Sequence, residues 1–267
     1  MTGRSLLDSL RISLKHFVSF PNPGAKEVLG EIEPIIDAET GVTPVHGRYF
    51  KLSSEYYKMI GNHCKYYRDT LRYLGCLDYE KENEQELYGK AFTLALAALL
   101  GETIFNFGEL LQHPIINNLK KKDDWLIDLL AAFNEGDLKK FAELRAKWTT
   151  QPDLASHEIQ LRQKISLLCL MELTFKSPNG VLTFEEITRQ TYLPANEIEY
   201  LVMKALSLNL VKGEIDEVEK KVNLSWVQPR VLDKQQINRL KVRLDDWCKN
   251  IRKVENLLES NAQEIIG

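Results

Sequence analysis

The residues of this 267-residue chain that could do chemistry are widely scattered. The histidines and cysteines are His16, His46, His63, His113, His157, Cys64, Cys76, Cys169 and Cys248. Only His63 and Cys64 are adjacent, and neighbours on a helix point about 100° apart, so they do not readily share a metal ion. The absence of any CxxC pair is typical of reduced thiols inside a cell. We therefore predict no metal and no cofactor.

The sequence motifs of common enzymes are also missing. There is no GxxxxGK phosphate loop, GxSxG turn, HExxH helix or GxGxxG turn, and the nearest glycine pair, Gly41 and Gly47, has the wrong spacing. Adjacent acids occur at Glu185–Glu186 and at Asp245–Asp246. Such pairs at a helix start or on an exposed face usually serve the helix dipole or solvation. We nominate no catalytic residue and predict that the chain is not an enzyme.

The composition indicates a packed globular protein without a strong electrostatic field. Apolar residues make up 44% of the chain, and 35 basic against 38 acidic side chains leave a net charge of -3. The longest apolar run, Leu94–Leu100, is far shorter than the roughly 20 residues that cross a bilayer. The polar start MTGRSLLDS lacks the apolar core of a secretory signal. We expect a soluble, intracellular chain that does not bind membranes.

Helical periodicity dominates residues 1–154 and predicts an α-solenoid array. A first helix is expected over Ser5–Phe20, and a second one starts near Gly24 and is bent or stopped by Pro34. Pro114 divides the segment Phe105–Leu119 into two short helices. Asp137, directly after Gly136, is placed to cap the next helix, and two helices joined by such a tight turn form the unit of a solenoid.

The pattern of residues 155–232 predicts a winged helix. A long apolar helix over Ser156–Phe175 is followed by a capping box, in which Thr183 and Glu186 have the required spacing. A further helix begins near Pro194, and two short strands follow at Leu210–Asp216 and Lys221–Val227.

Winged helices often bind nucleic acid through their second helix, but the charges here do not favour it. The segment Pro194–Asn209 carries two glutamates against the single Lys204, and the wing turn holds Asp216, Glu217 and Glu219 beside two lysines. Counterion release by unopposed Lys and Arg supplies most of the affinity for nucleic acid. A nucleic-acid adaptor is therefore the less favoured alternative.

The last segment, 233–267, predicts one long helix with a coiled-coil seam. Apolar residues recur at alternating intervals of three and four residues: Ile237, Leu240, Leu244, Trp247, Ile251, Val254 and Leu258. A repeat of 3.5 residues matches a partner helix better than a globular surface, so we predict that this seam is an interface. The alternative is a helix that folds back on its own domain.

Several strings in the chain resemble the PCI family, whose members are scaffold subunits of the proteasome lid, the signalosome and a translation initiation factor. The resemblance covers Thr43 to the C-terminus, and the likeness to one lid subunit is close. It is carried by FNFGELLQHP (105–114), QPDL (151–154), LLCLMEL (167–173), LTFEEI (182–187), LVMKAL (201–206) and WVQPRVLD (226–233). The family's proteins have more N-terminal repeats, so the resemblance implies that this array is short, through truncation, an alternative start or divergence of a paralogue.

The resemblance also implies a function. It implies a non-catalytic scaffold of the 26S proteasome lid that serves ubiquitin-dependent degradation in the cytoplasm and nucleus. Its partners would be other lid subunits, contacted through the PCI edge and a bundle of C-terminal helices in a hetero-oligomer. The zinc deubiquitinase signature HxH of the lid is absent here. The alternatives are a scaffold in the signalosome or the translation initiation factor.

Overall fold

The computed structural model describes residues 23–39, 41–77, 83–120, 122–177, 179–231 and 234–266. The predicted helix over Ser5–Phe20 lies outside these residues. The described chain is mostly helical with one small sheet, as the sequence predicts. None of the described helices combines the length and the apolar character that a membrane span requires.

The first half of the described chain is an array of helices. They are α1 (Pro23–Ala38), α2 (Pro44–Ile60), α3 (His63–Gly75), α4 (Glu84–Leu100), α5 (Gly108–Gln112), a 3-10 helix (Pro114–Asn118), α6 (Asp124–Glu135), α7 (Leu138–Glu143), α8 (Arg145–Trp148) and α9 (Pro152–Ser156). The division of Phe105–Leu119 at Pro114 is confirmed, because α5 and the 3-10 helix lie on its two sides.

Pro34 does not stop the helix in which it lies. Helix α1 continues to Ala38, four residues beyond the proline. Ile32 and Ile36, on either side of Pro34, are both buried in the core. Their packing keeps the segment helical although a proline removes one backbone hydrogen bond.

The predicted turn between α6 and α7 is confirmed. Gly136 ends α6 with φ +66°, and the Asp137 carboxylate accepts hydrogen bonds from the backbone N–H of Lys139 and Lys140 at 2.9 and 3.2 Å. Beyond this turn, the Phe141 ring stacks on Trp148 with centroids 5.1 Å apart. The fully buried Trp148 donates its indole N–H to the Phe141 carbonyl at 3.2 Å, so the short helices α7 and α8 are held by an aromatic pair.

The winged helix is built around the long helix α10 (Glu158–Lys176). Strand β1 (Val181–Thr183), α11 (Phe184–Thr191), α12 (Ala195–Ser207), β2 (Val211–Asp216) and β3 (Lys221–Val227) follow in order. The sheet is antiparallel with strand order β1-β3-β2, and Val222 of β3 pairs with Leu182 on one side and Ile215 on the other. The predicted capping box is present, since Thr183 and Glu186 exchange side-chain and backbone hydrogen bonds.

The terminal helix α13 (Lys234–Ile266) belongs to a second unit. The first compact unit extends to Gln228, and the second comprises residues from Pro229 onward. The first unit contains both the helical array and the winged helix, whose boundary at 154/155 stays a prediction. Residues 232 and 233, where we place the start of the terminal segment, lie outside the described residues.

Candidate interaction surface on the terminal helix

The seam residues of α13 are all exposed. Their exposed fractions run from 37% for Leu240 to 62% for Trp247 and Leu258. The complete set is Ile237, Leu240, Leu244, Trp247, Ile251, Val254 and Leu258. Because their spacing alternates between three and four residues, these side chains form one continuous apolar strip along a single helix. We call this strip the seam.

Burial of an exposed apolar strip of this kind against another protein would lower the free energy substantially. Burial of apolar surface stabilises an association by about 25 cal/mol per Å², and soluble proteins seldom expose contiguous apolar patches of several hundred Å² without a function. Trp247 has the largest side chain of the strip and lies in its middle. The seam is therefore a candidate surface for binding another helix.

The charges beside the seam are of both signs. Lys241 and Glu255 each directly follow a seam residue, in the flanking position that selects a partner helix by charge. On the opposite face, Lys249 and Asp246 pair with each other at 3.1 Å. Charges that pair within one exposed face do little for association, whereas charges in the flanking position would face a helix bound along the seam. The seam thus combines an apolar contact strip with charged flanks.

The winged helix does not present a cationic surface at its wing. The ammonium groups of Lys220 and Lys221 pair with Glu217 and Glu219 at 2.9 and 2.7 Å. These ion pairs within the wing neutralise the lysines that a phosphate backbone would need. The geometry of the wing therefore gives no support to nucleic-acid binding.

Lys164 is a buried cation that sequence analysis overlooked. Only 7% of it is exposed, and its Nζ donates to the carbonyl oxygens of Ala98, Leu99 and Gly101 at 2.7, 3.1 and 2.6 Å. These carbonyls end helix α4, where the negative end of the helix dipole lies. Burial lowers the pKa of Lys164 to about 7, whereas the three carbonyl groups favour its charged form. The residue joins the winged helix to the helical array, and the hydrogen-bond partners of its side chain among the described residues are all backbone carbonyl groups.

The other residues considered for chemistry have structural surroundings. Glu186 completes the capping box, and its hydrogen bonds from Thr183 lower the pKa of its carboxyl group. Burial lowers the pKa of the His63 imidazole, with a smaller contribution in the same direction from His157. Within the described residues, no three His, Cys, Asp or Glu side chains are grouped as metal ligands.

Two protein families match this chain. Residues 6–130 match the family described as PSD13 N-terminal repeats, and residues 138–226 match the PCI domain. Together the two matches cover residues 6–226 except residues 131–137.

Individual proteins with similar sequences include proteasome regulatory subunits and, at lower identity, a translation initiation factor subunit. The chain is 41% identical over 245 residues to the probable 26S proteasome regulatory subunit rpn9 of Schizosaccharomyces pombe, which covers 90% of this chain and 64% of that protein. It is 36% identical over 250 residues to the 26S proteasome non-ATPase regulatory subunit 13 homolog B of Arabidopsis thaliana, covering 91% and 65%. Eukaryotic translation initiation factor 3 subunit M of Coccidioides immitis is 21% identical over 211 residues, covering 78% and 45%. The chain thus spans less than two thirds of the length of each of these relatives.

Proposed function

We propose that this chain, which belongs to the PCI-domain homologues of 26S proteasome non-ATPase regulatory subunit 13, is a non-catalytic structural subunit of the proteasome lid. In this role it scaffolds the regulatory particle for ubiquitin-dependent protein degradation, in the cytoplasm and nucleus. The observation that carries the proposal is the exposed seam of α13, in a chain whose relatives are named as proteasome regulatory subunits.

The proposed partners are other lid subunits, in a hetero-oligomer. One contact is the edge of the small sheet, where, among the described residues, β1 and β2 each pair only with β3. The other is a bundle of C-terminal helices, which the seam of α13 joins. An unpaired strand edge and an unpartnered apolar helix are both elements that bind a further strand or helix readily.

Two alternative functions are less well supported. A scaffold role in translation initiation factor 3 or the signalosome would use the same surfaces, but the sequence identity to the initiation factor subunit is only 21%. A nucleic-acid adaptor would need unpaired cations on the wing, where Lys220 and Lys221 are paired with glutamates. Identification by mass spectrometry of the proteins that copurify with the tagged chain distinguishes a scaffold of the proteasome lid from one of the initiation factor or the signalosome. Gel shifts at rising salt test the adaptor, because nucleic-acid affinity falls steeply with salt.

The seam is tested by Trp247→Ala. Truncating an aromatic anchor within an interface commonly costs about 2 kcal/mol or more, so incorporation into lid intermediates is expected to fall by at least about tenfold in a quantitative pull-down. Val242→Ala is the matched control, because Val242 is 58% exposed on the same helix but lies outside the seam. Equal incorporation of the two variants would contradict the proposal. A large drop in the melting temperature of the isolated Trp247→Ala chain would instead indicate that the helix packs within its own molecule.

A further inference from the structure

A groove lies on the first compact unit, between helices α10 and α12. It has a volume of about 680 Å³, and Arg145 of α8 is among the residues that line it. Leu167 of α10 and Leu201 of α12 line it and are buried, with exposed fractions of 4% and 7%. The groove is therefore a depression with an apolar floor between two helices, a shape that suits a third helix.

Two exposed apolar side chains also line the groove. Ile159 of α10 is 75% exposed and Tyr200 of α12 is 68% exposed. Large apolar side chains beside a depression are typical anchors of protein interfaces, and tyrosine is among the most frequent hot-spot residues. Tyr200 lies on α12, the helix that reads DNA in many winged helices, whereas Ile159 lies on α10.

The charges of the groove favour an acidic partner. Arg145 pairs with Glu158 at 2.9 Å, and this pair is internally neutral. The other two cations, Arg162 and Lys204, are exposed and form no ion pair among the described residues. Glu197 is the remaining acid of the lining. Two unneutralised cations against one carboxylate give the groove a local positive potential within a chain of net charge -3.

We propose that this groove binds an acidic amphipathic helix of a partner protein. The apolar face of that helix, with side chains at i, i+3, i+4 and i+7, packs on Leu167, Leu201 and Tyr200. Its flanking carboxylates face Arg162 and Lys204. The groove is lined by residues of α8, α10 and α12 and by Leu193, and its lining shares no residue with the sheet or the seam of α13. A smaller groove of about 280 Å³ shares Leu167 and Lys204 and extends to Gly101, which lengthens the surface available to the helix.

The test measures binding of a designed peptide to the full 267-residue chain. The probe is a lactam-stapled, fluorescein-labelled helix of about 16 residues with leucines on one face and glutamates on both flanks. We expect saturable binding in fluorescence anisotropy that weakens as salt rises. Tyr200→Ala should raise the Kd at least about tenfold through loss of the apolar anchor, and Arg162→Glu with Lys204→Glu should do so through charge reversal.

Matched variants and a second probe make the result decisive. Met59→Ala truncates an exposed apolar side chain and Lys139→Glu reverses an exposed charge, both outside the groove, and we expect Kd values within about twofold of the wild type. Circular dichroism melting checks that every variant remains folded. The proposal is overturned if the wild type does not bind the acidic peptide, or if a peptide with lysines in place of the glutamates binds equally well. It is also overturned if the groove variants leave the Kd unchanged, or if a single-stranded oligonucleotide binds in place of the peptide and is insensitive to Tyr200→Ala.

Discussion

Lys164 shows how one side chain can hold two elements together. Its ammonium group supplies three donors to three carbonyl oxygens at the end of α4, and the rings of Phe105 and Phe107 lie 5.7 and 5.1 Å from it. Lys164→Met keeps the apolar stem and removes the donors, leaving buried carbonyl groups without partners. We expect the free energy of unfolding to fall by about 2 kcal/mol, as measured by urea denaturation. Lys139→Met, at an exposed position, should change it by less than about 0.5 kcal/mol.

The same residue predicts a pH dependence of stability. The pKa of Lys164 is about 7 in the folded chain and near 10.5 when unfolded, so the unfolded state binds more protons between these two values. The contribution of Lys164 to the free energy of unfolding therefore increases as the pH rises from about 7 towards about 10. Urea denaturation at about pH 7 and about pH 9 should give a smaller increase, or a larger decrease, for Lys164→Met than for the wild type. Parallel pH profiles of the two chains would show that the three carbonyl groups keep the ammonium charged in the folded state.

At the scale of elements, Gly136 lets the turn between α6 and α7 approach helix α10 closely. A Cβ at this position would lie 2.6 Å from the Cα of Cys169 and 2.7 Å from its backbone nitrogen, and φ is +66°. Gly136→Ala should therefore lower the free energy of unfolding by about 3 kcal/mol or more, because backbone must move on both sides. Gly89→Ala is the control, since a Cβ there meets nothing within 4 Å and α4 gains helix propensity. In thermal melts, we expect the Gly136 variant to melt well below the wild type and the Gly89 variant to melt slightly above it.

Elements defined by local rules could be predicted from the sequence. Three of them depend on residues only a few positions apart. They are the capping box at Thr183 and Glu186, the cap at Asp137 and the strand pair around Glu217–Lys220. The seam positions follow from spacing alone. The expectation that Pro34 stops its helix was wrong, and the burial of Ile32 and Ile36 on either side of it is a feature that no local rule contains.

Features formed by distant residues could not be predicted in this way. Lys164 meets carbonyl groups 63 to 66 positions earlier in the chain, and its helix had shown only a nearly uniform apolar pattern. The groove between α10 and α12 requires the packing of two helices that residues 177–194 separate, and Tyr200 had no distinguishing spacing. Sequence periodicity identifies which face of a helix is apolar, but not which faces remain exposed after the chain has packed.

At the scale of the whole molecule, the chain combines a compact unit with a separate helix. The helical array and the winged helix share one unit that extends to Gln228, and α13 lies in the second unit. Contacts such as those of Lys164 explain why array and winged helix do not separate. A unit with its own core can fold alone, whereas a single exposed amphipathic helix derives most of its stability from packing. The seam residues are accordingly expected to order most firmly within an assembly.

This division predicts the outcome of removing residues 233–267. The shortened chain keeps the whole first unit. Its melting temperature should therefore lie within a few degrees of that of the full chain, and its near-UV circular dichroism spectrum should change only slightly in amplitude. Its incorporation into lid intermediates should be lost, because the seam that we propose to join a helical bundle is gone. Fusing residues 233–267 to the shortened chain again should restore incorporation. Fusing the same segment with Leu244, Trp247 and Ile251 changed to serine should not. If the shortened chain still assembles normally, the main contact with the lid is at the sheet edge and not at the seam. If the shortened chain unfolds, the first unit depends on α13 for its own stability.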